Sequence, residues 1–298
     1  MAEVSNPTKL YFPQDGITKA QVVRYYESVA EAMVPHLRRR PLTLQRFPDG
    51  IERDGFMQKN ASRYFPTWIE RVAVPKAGGS TNHPLCDSVR DLTYLANQGT
   101  ITFHIWTSRL PDLTRPDRLV LDLDPAPGAP PPVEATLAAR QVLEDVGLLP
   151  GVMTTGSRGY HVVAPIRPQA DFEAVGHAAR LLALVVEARH PHQMTTAFHK
   201  ADRGGRVFVD WLRNRWAQST VSPWSLRPLP GAPVAMPIDW SELDSTPPGW
   251  WTVVSAPERV GLSPDWPPGP PLNLDRVQAL AEEHRVSDPE PFDRFSRR

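Results

Sequence analysis

A single thiol, Cys86, is all the cysteine in this 298-residue chain. That excludes an internal disulfide and a thiolate zinc cluster. No apolar run approaches the ~18 residues needed to span a bilayer, so no membrane is expected as a partner. The segment Met1-Ala2-Glu3-Val4-Ser5 has none of the basic-then-apolar character of a secretory leader. A cytoplasmic enzyme, nucleoid-associated if bacterial, is the expectation. Net charge is missing too, since 33 basic side chains face 33 acidic ones. The balance is uneven along the chain. Residues 231–298 hold 11 acids against 6 bases, a net of −5, which leaves residues 1–230 at +5. A zero total therefore does not exclude nucleic acid, because local basic patches bind phosphate. With 41% apolar residues the chain can bury a core as one large domain or two modest lobes.

The most telling run present is Leu119-Val120-Leu121-Asp122-Leu123-Asp124-Pro125. In a strand, successive side chains alternate faces, so Asp122 and Asp124 project together, one pleat apart. The leucines fit burial on the opposite face, and Pro125 ends the strand. Neighbouring carboxylates repel unless a cation sits between them. Mg²⁺ and Mn²⁺ take such oxygen ligands and keep places for water and phosphate. A lone pair of this kind is equally a solvated strand end. The run Arg206-Val207-Phe208-Val209-Asp210-Trp211 supplies a third strand-borne acid. Three such acids suggest a metal site for phosphoryl or nucleotidyl transfer.

The chain around them reads as helices alternating irregularly with strands. Thr18 and Gln21 form a T-x-x-Q capping box, and apolar residues at helical spacing predict one amphipathic helix over 18–37. Strands are predicted over 41–47 and 100–106, a helix over 133–146, and strand, glycine turn, strand over 151–165. A long helix over 172–188, a strand over 206–212 and a short helix over 274–283 complete the reading, before a charged tail. Residues 228–271 are rich in Pro, Gly and Trp and read as polypeptide wrapped over the body. The expectation is one catalytic domain over 1–298, with a body at 1–230 and a wrapping segment at 231–298. The class is α+β with largely antiparallel sheet.

Other constellations suit phosphate. Thr155-Gly156-Ser157-Arg158-Gly159-Tyr160-His161 packs hydroxyls, an arginine and a histidine around two glycines, which let backbone amides close on a triphosphate. It is equally a hairpin turn with polar decoration, and His161 equally a core histidine. Arg213, Asn214 and Arg227 follow Asp210. Arginine forks onto phosphate oxygens, though each is also an ordinary surface arginine. Lys19 falls in the first turn of a predicted helix, where a cation opposes the dipole. With Lys9 it could meet a terminal phosphate. Phe56-Met57-Gln58-Lys59 offers an aromatic platform beside a cation.

Together these pieces resemble the archaeo-eukaryotic primase superfamily, and within it the polymerase domain of bacterial ATP-dependent ligase D, which acts in non-homologous end joining. The three motifs occur in order: Asp122-Leu123-Asp124, the segment ending at His161, and the strand ending at Asp210. The similarity extends from Lys9-Leu10-Tyr11-Phe12-Pro13 to Ser222-Pro223-Trp224-Ser225-Leu226-Arg227. It implies the primase-polymerase fold. It implies Asp122, Asp124 and Asp210 as catalytic ligands of two Mn²⁺ or Mg²⁺ ions. His104, Thr155, Ser157, His161, Arg213, Asn214 and Arg227, with Lys59 nearby, fall where the family holds the incoming nucleotide. Lys9 and Lys19 match lysines that recognise a 5′-phosphate, and Phe56 an aromatic that stacks on the template. Implied partners are gapped or broken DNA, NTPs or dNTPs, Ku and a DNA ligase, with ribonucleotides favoured. The family commonly has serine at Thr155 and a second aromatic at Met57 or Gly55. The rival reading is a non-catalytic module that binds and bridges DNA ends through the 5′-phosphate. A haloacid-dehalogenase-type phosphatase fits less well, having Ala126 where that motif carries Thr or Val.

Overall fold

The computed structural model describes residues 3–264 and 266–287. The expected charged tail at 288–298 lies outside the described residues. Two sheets carry the architecture. The six-stranded sheet runs β13 (Met194–Thr195), β14 (Val207–Asp210), β10 (Arg118–Asp124), β12 (Tyr160–Pro165), β11 (Gly151–Thr154), β16 (Pro237–Ile238). Every pairing in it is antiparallel except β13–β14. The second sheet is β15 (Thr220–Val221), β7 (Thr100–Ile105), β3 (Leu42–Arg46), β4 (Phe56–Gln58), all antiparallel. Three hairpins complete the strands: β1 (Leu10–Phe12) with β2 (Ile17–Thr18), β5 (Arg71–Lys76) with β6 (Gly79–Pro84), and β8 (Ser108–Arg109) with β9 (Asp112–Pro116).

Each sheet buries one face against helices. Leu119, Leu121 and Leu123 alternate out of β10 into a core shared with α4 (Val133–Asp145), α5 (Phe172–Arg189) and α6 (Leu274–Glu283). Leu42, Leu44, Ile101, Phe103 and Ile105 do the same for the second sheet, against α1 (Lys19–Ser28), α2 (Ala30–Leu37) and α3 (Val89–Asn97). The opposite faces look toward one another. Between them Val120, Met153 and Val163 of the first sheet meet Val221 of β15 and Ala235 in a small apolar cluster.

The single helix expected over 18–37 is two. It breaks at Val29, whose ψ of 5° leaves the helical region. Ser28 Oγ donates to the Tyr25 carbonyl at 2.8 Å, a local bond of the kind that competes with the helical ladder. The capping box stands: Gln21 N–H donates to Thr18 Oγ1 at 3.3 Å, and Thr18 N–H to Gln21 Oε1 at 2.8 Å. Residues beyond Gly231 are not laid over a finished body. Ala232, Val234, Ala235, Met236 and Ile238 are almost fully buried. β16 also adds an edge strand to the catalytic sheet. Among the described residues no helix is long and apolar enough to cross a membrane.

Two half-buried histidines set an acid limit. Burial, then the charges of Arg118, Arg40 and Arg109, pushes His36 down to about 3. Burial, then Arg227, Arg213 and His161, pushes His104 down to about 3. Both stay neutral when folded, whereas an unfolded histidine takes a proton near pH ~6.5. Their contribution to stability is therefore complete above ~6.5 and is lost progressively as pH falls toward the folded values. Carboxylates enter only below about pH 4. Tm is expected to fall already between about pH 6.5 and 5, and less steeply in His36→Gln. A Tm that is flat across that window would contradict the assignment.

Candidate active site

β10 is the central element because it pairs on both edges. Asp122 stands opposite His161 of β12 on one side and opposite Asp210 of β14 on the other. Directly paired residues share a sheet face. Three polar side chains thus form a row across three strands, facing away from the helical core. His161 Nε2 lies 3.5 Å from Asp122 Oδ1. Arg213, on the turn after β14, bridges the two acids, with Nη2 2.9 Å from Asp210 Oδ2 and Nε 3.5 Å from Asp122 Oδ2. Burial works against Asp122's charge, but His161, Arg213 and Arg227 outweigh it and hold the carboxyl below its ordinary value. Asp210 goes the other way. Burial raises it, Arg213 pulls it down, and the charge of Asp122 pushes it up again. The pair therefore still repels with Arg213 between its members.

Asp124, one pleat further, emerges on the same face but turns outward, with Arg158 Nη2 at 3.3 Å and Arg203 Nη1 at 3.7 Å. Among the described residues no three His, Cys, Asp or Glu side chains converge closely enough to share one ion. The chemistry of the donors nonetheless fits a hard divalent cation: carboxylate oxygens on adjacent strands, no sulfur, and a like-charge pair that Arg213 only partly neutralises. Arg203 was not singled out by sequence reasoning. Its signal was the basic, glycine-containing stretch Lys200-Ala201-Asp202-Arg203-Gly204-Gly205-Arg206, just before the Asp210 strand.

The nucleotide-side residues divide into two groups. His104, Arg227, Arg213 and His161 converge closely enough to depress His104's proton affinity. Among the described residues, His104 Nε2 and Arg227 Nε are both buried without a hydrogen-bond partner. Such orphaned polar atoms are costly unless a ligand meets them. Arg227 reaches the site because its segment is stitched to β7 and α1. Ser225 Oγ accepts from Phe103 N–H at 2.8 Å, Thr102 Oγ1 donates to the Leu226 carbonyl at 2.8 Å, and Tyr25 OH to the Trp224 carbonyl at 2.8 Å. Trp224 itself sits at φ +67°, a strained value for an aromatic residue held by these surrounding bonds. Gly156 (φ +64°) lies under Arg227, whose Cγ a Cβ at that position would approach to 2.8 Å.

Other expected contacts have structural employment. Thr155 closes its own turn, its Oγ1 donating to the Gly159 carbonyl at 2.9 Å. Asn214 is fully buried. The Val120 N–H donates to its Oδ1 at 2.7 Å, and its Nδ2 donates to the carbonyls of Val120 and Trp211 at 2.7 and 2.8 Å. Those bonds hold β10 in place and leave no amide hydrogen for a nucleotide. Ser157 is half-buried, and Arg158 and Lys59 are exposed. Cross-strand pairing puts Met57 with Gln45 on the His104 face, whereas Phe56 pairs with Arg46 on the other. The Phe56 ring is 48% exposed, with the Arg46 guanidinium 5.3 Å from its centroid.

Lys9 and Lys19 do come together. The Lys19 N–H donates to the Lys9 carbonyl at 2.8 Å. Lys9 pairs with Asp49. Lys19 is buried, and among the described residues its Nζ donates to Ser5 Oγ alone, at 2.7 Å. Burial, then the charge of Lys9, lowers its pKa.

Residues 18–266 match the family described as LigD, primase-polymerase domain. The chain belongs to that family. It is therefore a nucleotidyltransferase of the polymerase type, a chemistry that generally uses divalent metal. The multifunctional non-homologous end joining protein LigD of Mycolicibacterium smegmatis is 33% identical over 80% of this chain and 32% of its own length. Its counterpart in Pseudomonas aeruginosa is 33% identical over 86% of this chain and 31% of its own length. The chain thus spans about a third of the curated relatives it matches. The polymerase domain from Mycobacterium tuberculosis Ligase D, solved in complex with DNA, superposes with a TM-score of 0.82 at 31% identity, covering 88% of this chain and 94% of that one. The fold is the α+β primase-polymerase fold.

Proposed function

We propose that this chain is a DNA-end repair polymerase that adds nucleotides, ribonucleotides in preference, to a primer 3′ end across short gaps. The observation that carries the reading is the row His161–Asp122–Asp210, flanked by the unpartnered nitrogens of His104 and Arg227. Asp122, Asp124 and Asp210 would hold two Mg²⁺ or Mn²⁺ ions, which supply charge neutralisation at the attacking and leaving oxygens. Arg213, released from the two acids, and Arg227 bind triphosphate oxygens and balance the charge that develops on pyrophosphate. His161 holds Asp122 ionised and oriented. His104, neutral, supplies or accepts one hydrogen bond to the nucleotide according to its tautomer. Phe56 and Lys59 contact the DNA at the outer edge of the second sheet, and Lys9 with Lys19 takes the downstream 5′-phosphate. Ku and a ligase are the proposed partners.

The test is extension of a labelled primer across a short gap with Mn²⁺ and either NTPs or dNTPs, with and without a downstream 5′-phosphate. Templated addition, faster with NTPs, is expected. Phosphate-dependent binding without any addition would return the end-binding module. In Lys9→Ala with Lys19→Ala, stimulation by the 5′-phosphate is expected to fall about tenfold, as loss of charge-assisted bonds implies. Extension on the unphosphorylated gap should persist. Equal loss on both substrates would sink the phosphate assignment.

A further inference from the structure

β10 has a second end. Arg118 begins it on the same face as Asp122, roughly 13 Å away along the strand, with Val120 and the apolar cluster between them. There a cavity of about 930 Å³ opens between α2, the β8–β9 turn, the ends of β10 and β12, and the segment Trp266–Gly269. The carboxylate site and this cavity thus lie toward opposite ends of β10, with the apolar cluster between them.

Four guanidiniums line it, those of Arg109, Arg115, Arg118 and Arg167, against the acids Glu31, Asp112 and Asp117. The acids are already engaged or peripheral. Asp117 Oδ2 takes both Arg40 and Arg109 at 2.6 Å. Asp112 and Arg115 form a loose, half-exposed pair at 3.5 Å. Arg118 is the decisive residue. It is only 8% exposed, and its one ionic partner among the described residues is Asp117 Oδ1, 3.6 Å from Nε. A guanidinium carries five N–H donors and stays charged. Burying it with so little compensation is unfavourable unless an anion completes it. His36, which also lines the cavity, is kept neutral by burial and by Arg118, Arg40 and Arg109, so the excess positive charge stays on the guanidiniums.

The walls add a second requirement. Pro35, Pro165, Pro267, Pro268 and the Trp266 ring present flat apolar surface. The volume is that of a site for a compact organic ligand, larger than bare phosphate needs. We propose that this cavity is a second binding site, for a phosphate carried on a nucleoside. Arg118 forks onto the phosphate oxygens, Arg109 and Arg167 close over them from the rim, and the proline–tryptophan wall receives the base and sugar. A free nucleotide and a single strand of DNA passing from the active site both present this chemistry.

The experiment is calorimetric titration in EDTA with AMP, and in parallel with a 5′-phosphorylated single-stranded pentanucleotide. Wild type is expected to bind two AMP, and Arg227→Ala one. Arg118→Met is expected to lose the other site, weakening it at least about tenfold, the scale of charge-assisted hydrogen bonds. Should Arg118→Met fold poorly, Arg167→Glu alters only the exposed rim and gives the same direction of loss. If those variants weaken the pentanucleotide and not AMP, the source is the strand. A single AMP site in wild type, together with pentanucleotide binding unchanged in both variants, would overturn the proposal. Because the readout is binding at a site separated from Asp122, it stands or falls apart from the extension assay.

Discussion

Asp122→Ala is expected to reduce primer extension by about 10³-fold or more while leaving the protein folded. Removing this acid takes away a proposed metal ligand in the centre of the three-strand row, and metal stabilisation of phosphoryl transfer is worth several kcal/mol, with ~1.4 kcal/mol per factor of ten. Stability should not fall with activity. Asp122 and Asp210 repel, so loss of one leaves Arg213 to neutralise the other fully. The measurement is gap extension with Mn²⁺ beside a thermal melt. Activity within threefold of wild type would remove Asp122 from the chemistry. A collapse of Tm would mean the row is structural first.

Gly159→Ala is expected to lower stability by about 3 kcal/mol, near the upper end for overpacking of a closed interior, and Tm by about 5 °C. A Cβ at Gly159 would lie 1.9 Å from the Leu123 carbonyl oxygen. That oxygen belongs to β10, between Asp122 and Asp124, and Leu123 is the register partner of Tyr160. Neither strand can move without disturbing the row. Extension should therefore fall as well, beyond what the loss of folded protein explains. Gly249→Ala is the control, since its Cβ would meet nothing closer than 4.0 Å and its φ is not left-handed. Equal melts for the two variants would show that β10 and β12 are not packed as tightly as this.

Local rules made much of the fold legible. The strand with Asp122 and Asp124, the glycine turn before His161 and the Thr18 capping box need only alternation, a helix period and turn chemistry. So does α5, predicted over 172–188 and found at Phe172–Arg189. The misses were also local in origin. α3 begins at Ser88, whose Oγ accepts from the Asp91 N–H at 3.2 Å. The Ser-x-x-Asp spacing that marks it was visible but unused. The hairpin Arg71–Pro84 is mostly exposed, and its only period is the short Val72–Val74 alternation, over a polar second strand. Asn214 read as a ligand residue because it follows Asp210. Only its three bonds to Val120 and Trp211 reveal that it anchors the strand behind the site.

The sequence by itself determined which residues are chemically able to act, and on which face of its own strand each lies, because side-chain alternation is a local property of the backbone. It could not determine register between strands. That Asp122 faces Asp210 rather than Val209, that Arg227 lies over Gly156, and that Lys9 meets Lys19 depend on contacts between distant segments. Cross-strand pairing and core packing select these collectively. Burial, which separates the proton affinities of Asp122 and Asp210 and, among the described residues, leaves His104 Nε2 and Arg227 Nε without partners, likewise exists only once the two sheets face each other.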